Sequence, residues 1–481
     1  MGAFVLPEGF QIEKVVDGLN FPSAMTWDDQ GTLYVAESGG GLSPDQLAPV
    51  RIMRVENGEA TEAVDLDNRQ LNIPVTGMVW HDGAFYFTHR DADDRTGAVS
   101  RVTMDGEITK ILTGIIDGQS EHHVNDVKVG PDGRMYIAVG LAANASVPGA
   151  DIAAHIMLSP ELHARPCQDI VLRGHNFEAE DFRTLEEGDT VLTGAFAPFG
   201  TPTEPGQVVP GVTKCGGSIL AFDPDDAEGT LEVYAWGFRQ PIGIAWDPST
   251  GEMYVGENGY DIRGPRPIND EFDATLRVNP GAWHGVPDFS AAREPLSDPK
   301  FDIPAEAKEE RQATVFLGTE EELGKMLDFV IDHEASGLTP PDPSVVLGLH
   351  PVHASPALLD VAPEGWGEFA GHVFVAEWGD LKPPTNPISP EPTVGSRIVR
   401  IDPLSGPAEV IPFVQNQQPG PASEQGARGE GIERPFDVKF GPDGAMYIVD
   451  YGVVSTVPEQ APPYVQHPQT GIIWRVTRTG Q

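Results

Sequence analysis

Several stretches of the chain gather residue types that move protons and hold anions. Glu121-His122-His123 with Asn125 sets imidazoles beside a carboxylate, Arg239-Gln240 and Arg434 supply guanidiniums, and His353 adds another imidazole. A histidine titrating near neutrality is a natural general base for a hydroxyl proton. Arginine pairs with carboxylates through two parallel N–H groups. Glu257-Asn258-Gly259-Tyr260, followed by Asp261, presents backbone carbonyls at Gly259 and Tyr260 that suit a hard cation such as Ca²⁺. Each group also has a structural reading. A lone histidine is commonly hydrogen-bonded in place, and Arg434 has Glu433 and Asp437 as neighbouring carboxylates. The acid recurring at Glu37, Glu257, Glu377 and Asp450 is expected to hold a turn, because a residue repeated at a repeated place serves the fold.

The elements that must position these residues repeat along the chain. One pattern recurs six times: a Pro or small residue, an alternating apolar stretch, a turn usually built from Asp and Gly, and a second stretch with an aromatic centre. It reads Phe21-Pro22 through Trp27-Asp28 and Gly31 to Leu33-Tyr34-Val35, and again as Asn125-Asp126-Val127, Gly130-Pro131-Asp132-Gly133 and Met135-Tyr136-Ile137. Its aromatic centres fall at Tyr34, Tyr86, Tyr136, Tyr254, Phe374 and Tyr447. Each copy is a β-hairpin signal, and a further strand follows most of them. The expected architecture is all-β: a six-bladed β-propeller of four-stranded blades spanning 1–481, with insertions at 141–216 and 291–348. The first insertion is expected to decorate one face, and Glu320–Asp332 in the second is read as a short helix. The Phe10–Val16 strand, paired with Ile472–Val476, is expected to close the ring. In such a ring the residues before each first strand and after each second strand meet at one channel mouth, which gathers the groups named above.

Composition narrows the partners. The 481 residues carry 73 Asp+Glu against 31 Lys+Arg, a formal charge of -42, which repels nucleic acid and anionic lipid. Lys-poor acidity fits a salt-adapted protein, and equally an ordinary acidic extracytoplasmic one. Gly (54) and Pro (45) make about a fifth of the chain, against a usual value near 12%, as many tight turns require. No apolar run is long enough to span a membrane. Cys167 and Cys215 are the only cysteines and leave two readings open, one bridge or two buried thiols. Strand-like sequence begins by Phe10 with no secretory signal before it, a start that a removed signal would also leave. There is no GxGxxG opening a helix, P-loop, HExxH, CxxC or GxSxG elbow, which argues against Rossmann nicotinamide chemistry, NTP hydrolysis and common zinc proteases.

Against that background the sequence resembles the glucose/sorbosone dehydrogenase family of soluble quinoprotein sugar dehydrogenases. The resemblance rests on Gly237-Phe238-Arg239-Gln240-Pro241-Ile242-Gly243, on Glu257-Asn258-Gly259-Tyr260, on Glu121-His122 ahead of Gly130-Pro131-Asp132, and on Arg434-Pro435-Phe436-Asp437-Val438. It implies PQQ-dependent oxidation of a sugar, with His122 as base and hydride passing to the quinone. Arg239, Gln240, Arg434 and Lys382 would bind PQQ, the carbonyls of Gly259 and Tyr260 would bind Ca²⁺, and Glu121, Asn125 and His353 would face the substrate. His123 replaces His122 if the register slips by one. Gln240 stands where the family has Asn, Tyr260 where it has Pro, and Phe436 where glucose dehydrogenases have a second Arg. The resemblance also implies a periplasmic or extracellular protein. With no CxxCH haem site in the chain, electrons would leave to a separate acceptor. Two other readings stay open: a Ca²⁺-dependent lactonase with Glu37, Asn125, Asn258 and Asp450 as ligands, and a non-catalytic carbohydrate-binding propeller.

Overall fold

Six antiparallel sheets follow one another around a ring in the computed structural model, which describes residues 4–67, 71–184, 186, 188–269, 271–303, 326–382, 392–405, 408–457 and 463–479. Blade one comprises Pro22–Trp27, Leu33–Ser38, Val50–Glu56 and Glu59–Asp65. Blade two comprises Met78–His81, Ala84–Asp91, Gly97–Thr103 and Ile108–Ile115. Val124–Val129, Met135–Val139, Ser218–Phe222 and Glu232–Trp236 form blade three. Gln240–Trp246, Met253–Asn258, Asp273–Val278 and Val346–His350 form blade four. Pro356–Val361, Val373–Glu377, Arg397–Ile401 and Ile411–Asn416 form blade five. Blade six joins Pro435–Phe440, Met446–Asp450 and Gly471–Arg478 to Phe10–Leu19, so the N-terminal strand closes the ring as expected.

Two blades depart from four strands. Leu71–Asn72 pairs with Ala84–Asp91 in blade two, and Phe4–Val5 pairs with Ile411–Asn416 in blade five. Both additions are two residues long, too short to carry an alternating pattern.

The repeated wording has a physical cause. In the hairpin turns Asp28, Asp132 and Asp443 each accept the N–H two residues ahead, and each also accepts the hydroxyl of a tyrosine on the second strand: Tyr34, Tyr136 and Tyr447. The turn and the aromatic centre are thus one hydrogen-bonded unit. The tyrosines then reach the next blade, since Tyr136 packs edge-on against Trp246 at 5.0 Å and Tyr447 against Trp27 at 5.3 Å. Edge-to-face aromatic pairs of this kind contribute about 0.5–1.5 kcal/mol beyond area burial.

The recurrent acids are latches at the opposite end of each hairpin. Glu37 accepts the Asn20 N–H and pairs with Arg51; Glu257 accepts the Arg239 N–H and pairs with Arg293. Glu377 binds His350 and Arg397, and Asp450 accepts the N–H groups of Glu433 and Arg434. Their structural reading is the one observed.

The long interruptions pack together. The segment between the second and third strands of blade three includes Ala153–Leu158, a helix, and the hairpin Asn176–Glu180 with Thr190–Gly194. Its apolar residues Leu162, Ile170 and Phe196 share one core with Tyr260, Trp283, Phe289, Leu327 and Ile331 of blade four's loops. Cys167 and Cys215 are bridged, tying this segment to the head of a blade-three strand. The helix expected at Glu320–Asp332 is not borne out where it is described: residues 326–332 form turns and bends, and Ile331 makes a β-bridge to Leu172. Residues 320–325 lie outside the described residues. Pairing with the first insertion has overridden local helix preference there.

Candidate active site at the channel mouth

His122 lies just before the first strand of blade three, against Gly140 after the second. A Cβ on Gly140 would come within 2.6 Å of both the His122 Cβ and its carbonyl oxygen, so only glycine allows this approach. Leu141 follows, and its carbonyl accepts a hydrogen bond from His122 Nδ1 at 2.8 Å. That bond fixes the neutral tautomer with the proton on Nδ1 and the lone pair on Nε2. Burial, then the charge of Arg239, lowers the His122 pKa to about 3. The ring is therefore neutral across the physiological range.

Nε2 is not idle. Arg263 Nη2 donates to it at 3.2 Å, and the same guanidinium pairs with Glu121, with Asp151 at 3.1 Å and with Asp261 at 2.9 Å. Asp261 also receives Arg239 Nη2 at 2.7 Å, and Arg239 Nε and Nη2 both reach Asn144 Oδ1. Three carboxylates thus share two guanidiniums around one neutral imidazole. Burial opposes ionisation of Glu121, but Arg263 beside it prevails and holds the pKa at about 2. Burial raises Asp151 to about 6 despite Arg263, and Asp261 is held well below the usual carboxylate range against burial by Arg239 and Arg263.

The other expected residues divide. His353 approaches this network, its Nδ1 3.9 Å from Asp261 Oδ1. Arg434 is buried, and its Nη1 donates to the carbonyls of Trp378 and Asp380, not to Glu433 or Asp437. Its Nε is buried without a partner. Asn125 donates to the Pro241 carbonyl at 2.8 Å and ties blade three to blade four. Gln240 begins the first strand of blade four opposite Asn258. Gly259 N–H is fixed by Asp273 at 2.7 Å, and the Tyr260 hydroxyl donates to the Phe289 carbonyl. Lys382 Nζ turns toward Glu424 at 3.9 Å, and all but the last residue of the Pro383–Pro392 insertion lies outside the described residues. His123 points its Nδ1 at the Glu121 carbonyl, leaving His122 as the imidazole in the Arg263 network.

Sequence reasoning missed Arg263, Asp151 and Asn144. Asp151 and Asn144 sit in the aperiodic insertion, and Arg263 lies only two residues beyond Asp261. An Asp-x-Arg directly after the Gly259-Tyr260 turn was the available signal. Also unforeseen is an aromatic wall on blades five, six and one. Trp378 packs against Tyr451 at 4.8 Å and Phe436 at 5.8 Å, and Phe21 stacks on Tyr451 at 5.4 Å.

The mouth can accordingly accept a proton at one fixed nitrogen and pair with an anion at Arg434, beside a buried aromatic cluster of Phe21, Trp378 and Tyr451. Among the described residues no group of three or more His, Cys, Asp or Glu side chains is placed to hold a metal ion. The lactonase ligands are already engaged, Glu37 and Asp450 as latches and Asn125 between blades. Asn258 Oδ1, by contrast, is a buried oxygen with no partner beside the Gly259-Tyr260 turn.

Comparison with known proteins gives the class of fold. Residues 1–159 match a family described as a domain of unknown function (DUF7133). No curated protein matches the sequence. Among solved structures, the chain is similar to the PQQ-bound aldose sugar dehydrogenase of Streptomyces coelicolor, at 17% identity and a TM-score of 0.51 over 98% of this chain and 99% of that one. It is similar to the holo PQQ domain of pyranose dehydrogenase from Coprinopsis cinerea, at 14% identity and a TM-score of 0.53 over 99% and 97%. A calcium structure of a Trichoderma reesei carbohydrate-active enzyme of family AA12 matches at 14% identity and a TM-score of 0.54 over 99% and 98%. The chain has the propeller fold of PQQ-type sugar dehydrogenases; at these identities the likeness is one of fold.

Proposed function

We propose that this protein is a quinoprotein oxidoreductase that oxidises a sugar, with His122 as the general base. The observation that carries the reading is the state of His122: buried, neutral, and with Nδ1 committed to the Leu141 carbonyl, so that Nε2 alone can take a proton. Burial and the charge of Arg239 make it a weak base as it stands, and an anionic group bound against the arginines would raise its proton affinity toward the working range.

The residues fit the cofactors of the similar structures in two respects. Arg434 carries an unpartnered buried Nε and only carbonyl partners elsewhere, which leaves it suited to a carboxylate of PQQ next to the Trp378–Phe436–Tyr451 wall. Asn258 Oδ1 and the adjacent carbonyls of Gly259 and Tyr260 supply the oxygen donors a Ca²⁺ ion takes. Arg239, bound to Asp261 and Asn144, would support the site from behind. PQQ, when bound, supplies a two-electron acceptor.

The chain's own residues would do the rest. A sugar hydroxyl enters against His122 Nε2, displacing or sharing the Arg263 donor, and gives its proton to that nitrogen. Glu121 and Asp261 keep Arg263 charged, and the Glu121 carboxylate, 3.4 Å from Nε2, would stabilise the imidazolium that forms when His122 takes the proton. His353 lines the blade-five side. The bridged Cys167–Cys215 pair supports an oxidising, extracytoplasmic setting, and a separate carrier would receive the electrons.

The test is reconstitution with PQQ and Ca²⁺, followed by dye-linked oxidation of an aldose panel. Saturable PQQ binding and sugar-dependent dye reduction lost in His122→Ala are expected. Failure to bind PQQ in both low and high salt would overturn the reading.

A further inference from the structure

Blade two carries a guanidinium with no counter-charge paired to it among the described residues. Arg95 stands in the turn between Ala84–Asp91 and Gly97–Thr103, at φ +62°, in the left-handed region that favours glycine. Its Nε and Nη2 are buried and have no hydrogen-bond partner. Burial lowers its pKa, and no acid offsets that effect, in a chain with 73 Asp+Glu.

Its surroundings are similarly incomplete. Gln119 donates to the Asp94 carbonyl at 2.8 Å, but its own Oε1 has no partner, and Ser120 Oγ, fully buried, has none either. Arg90 lies behind them, buried, with donors committed to the carbonyls of Ile73, Gly118 and Ser120, and its charge is opposed by Arg95. His155 Nδ1 meets the Gln119 carbonyl at 3.1 Å, leaving Nε2 on the other side of the ring, within the field of Arg90 and Arg95. Gln119 and Ser120 lead directly into Glu121-His122, and Glu121 is felt by both Arg90 and His155. The cluster therefore borders the mouth on its blade-two side.

The free edge of Arg95, Nε with Nη2, is the side-on fork that binds a carboxylate or sulfate through two parallel bonds. Beside it, the Gln119 oxygen and the Ser120 hydroxyl match a neighbouring alcohol. We propose that Arg95, Ser120 and Gln119 form an anion subsite that selects a sugar bearing an acidic group, a uronic acid or a sulfated sugar. This rests on the sugar-oxidation reading above and narrows its substrate class.

The experiment is calorimetric titration of the full chain with galacturonate, galactose 6-sulfate, galactose and acetate. The two acidic sugars are expected to bind at least tenfold more tightly than galactose, and their ranking separates carboxylate from sulfate. Arg95→Gln should weaken acidic-sugar binding roughly tenfold to a hundredfold, as loss of charged hydrogen bonds does, while leaving galactose unchanged. Arg95→Gly should lose the same binding yet raise the melting temperature, which separates ligand recognition from folding. Equal binding of neutral and acidic sugars, or acidic-sugar binding that survives both substitutions, would overturn the subsite. Dye-linked assays on the same proteins keep the two readings apart. Oxidation of neutral aldoses without preference for acids overturns the subsite alone, whereas Arg95-dependent acid binding with no oxidation by the PQQ-loaded protein overturns the dehydrogenase reading alone.

Discussion

Arg263 Nη2 donates to His122 Nε2 at 3.2 Å while His122 Nδ1 donates to the Leu141 carbonyl at 2.8 Å. Arginine does not surrender its proton, so the imidazole between these two groups must be the neutral Nδ1–H form. Nitrogen NMR of labelled protein should find that form at pH 7 and see it persist well below the usual histidine range, titrating only as the pH approaches about 3. A doubly protonated ring at pH 6 would contradict the arrangement.

Replacing Arg263 tests the other half of the pair. Arg263→Gln strands Glu121 and Asp151, both paired to that guanidinium, and should cost about 3–5 kcal/mol of stability, the usual penalty for breaking a buried pair. Urea unfolding would measure it, and Arg263→Lys should recover part of the loss because it keeps the charge without the fork.

Stability should fall as pH rises toward 8 and level off above it. Burial raises the pKa of Asp117 to about 8, and of Glu271 to about 8, above their unfolded values. The folded state then holds more protons than the unfolded state between those values, so stability is lost as pH climbs through the folded pKa. Melting temperatures between pH 7 and 9 would report it, the unfolded histidines being already neutral there. Asp117 accepts N–H groups of Ala142 and Arg165, so Asp117→Asn should lower stability near pH 7 by about 1–3 kcal/mol yet flatten this slope.

Reducing the Cys167–Cys215 bridge releases a loop whose ends are 48 residues apart in sequence, and chain entropy assigns such a closure about 4 kcal/mol. Thermal unfolding with and without reductant should differ accordingly. The Cys167→Ser/Cys215→Ser protein should resemble the reduced one.

Salt should stabilise the protein. A net charge of -42 repels itself across the surface, and screening shortens that repulsion to about 10 Å at 0.1 M salt. The buried latches, such as Glu377 with Arg397, are shielded from salt by the protein around them. A melting temperature that rises steeply up to molar NaCl would favour salt adaptation, and a plateau near 0.2 M would favour an ordinary acidic protein.

The ring was legible because its repeats are made of local bonds. Asp132, Gly133 and Tyr136 form one turn within five residues, and that proximity leaves a recurring mark in the sequence. The latches at Glu37, Glu257, Glu377 and Asp450 bind residues farther away along the chain and were legible because the acid recurs at the same place in its hairpin. The working centre was only half visible. His122 and Arg239 stand at repeat positions, but Arg263, Asp151 and Asn144 come from irregular loops and meet only in three dimensions. Arg95 escaped notice because its significance lies in lacking a partner, which no spacing reveals. Asn125 was read for its polarity, whereas its amide is spent on the Pro241 carbonyl.

The ladder that closes the ring has a mechanical consequence. Phe10 pairs with Arg478 and Leu19 with Gly471, so the outer ends of both strands lie at the same end of the ladder. Tension applied across them would peel the strands apart one bond at a time instead of shearing all the bonds together. The seam thus opens bond by bond under such tension once the Phe4–Val5 pairing with blade five has released. Once peeled, it leaves the Gly471–Arg478 strand with an uncovered edge, able to take a replacement strand from another molecule.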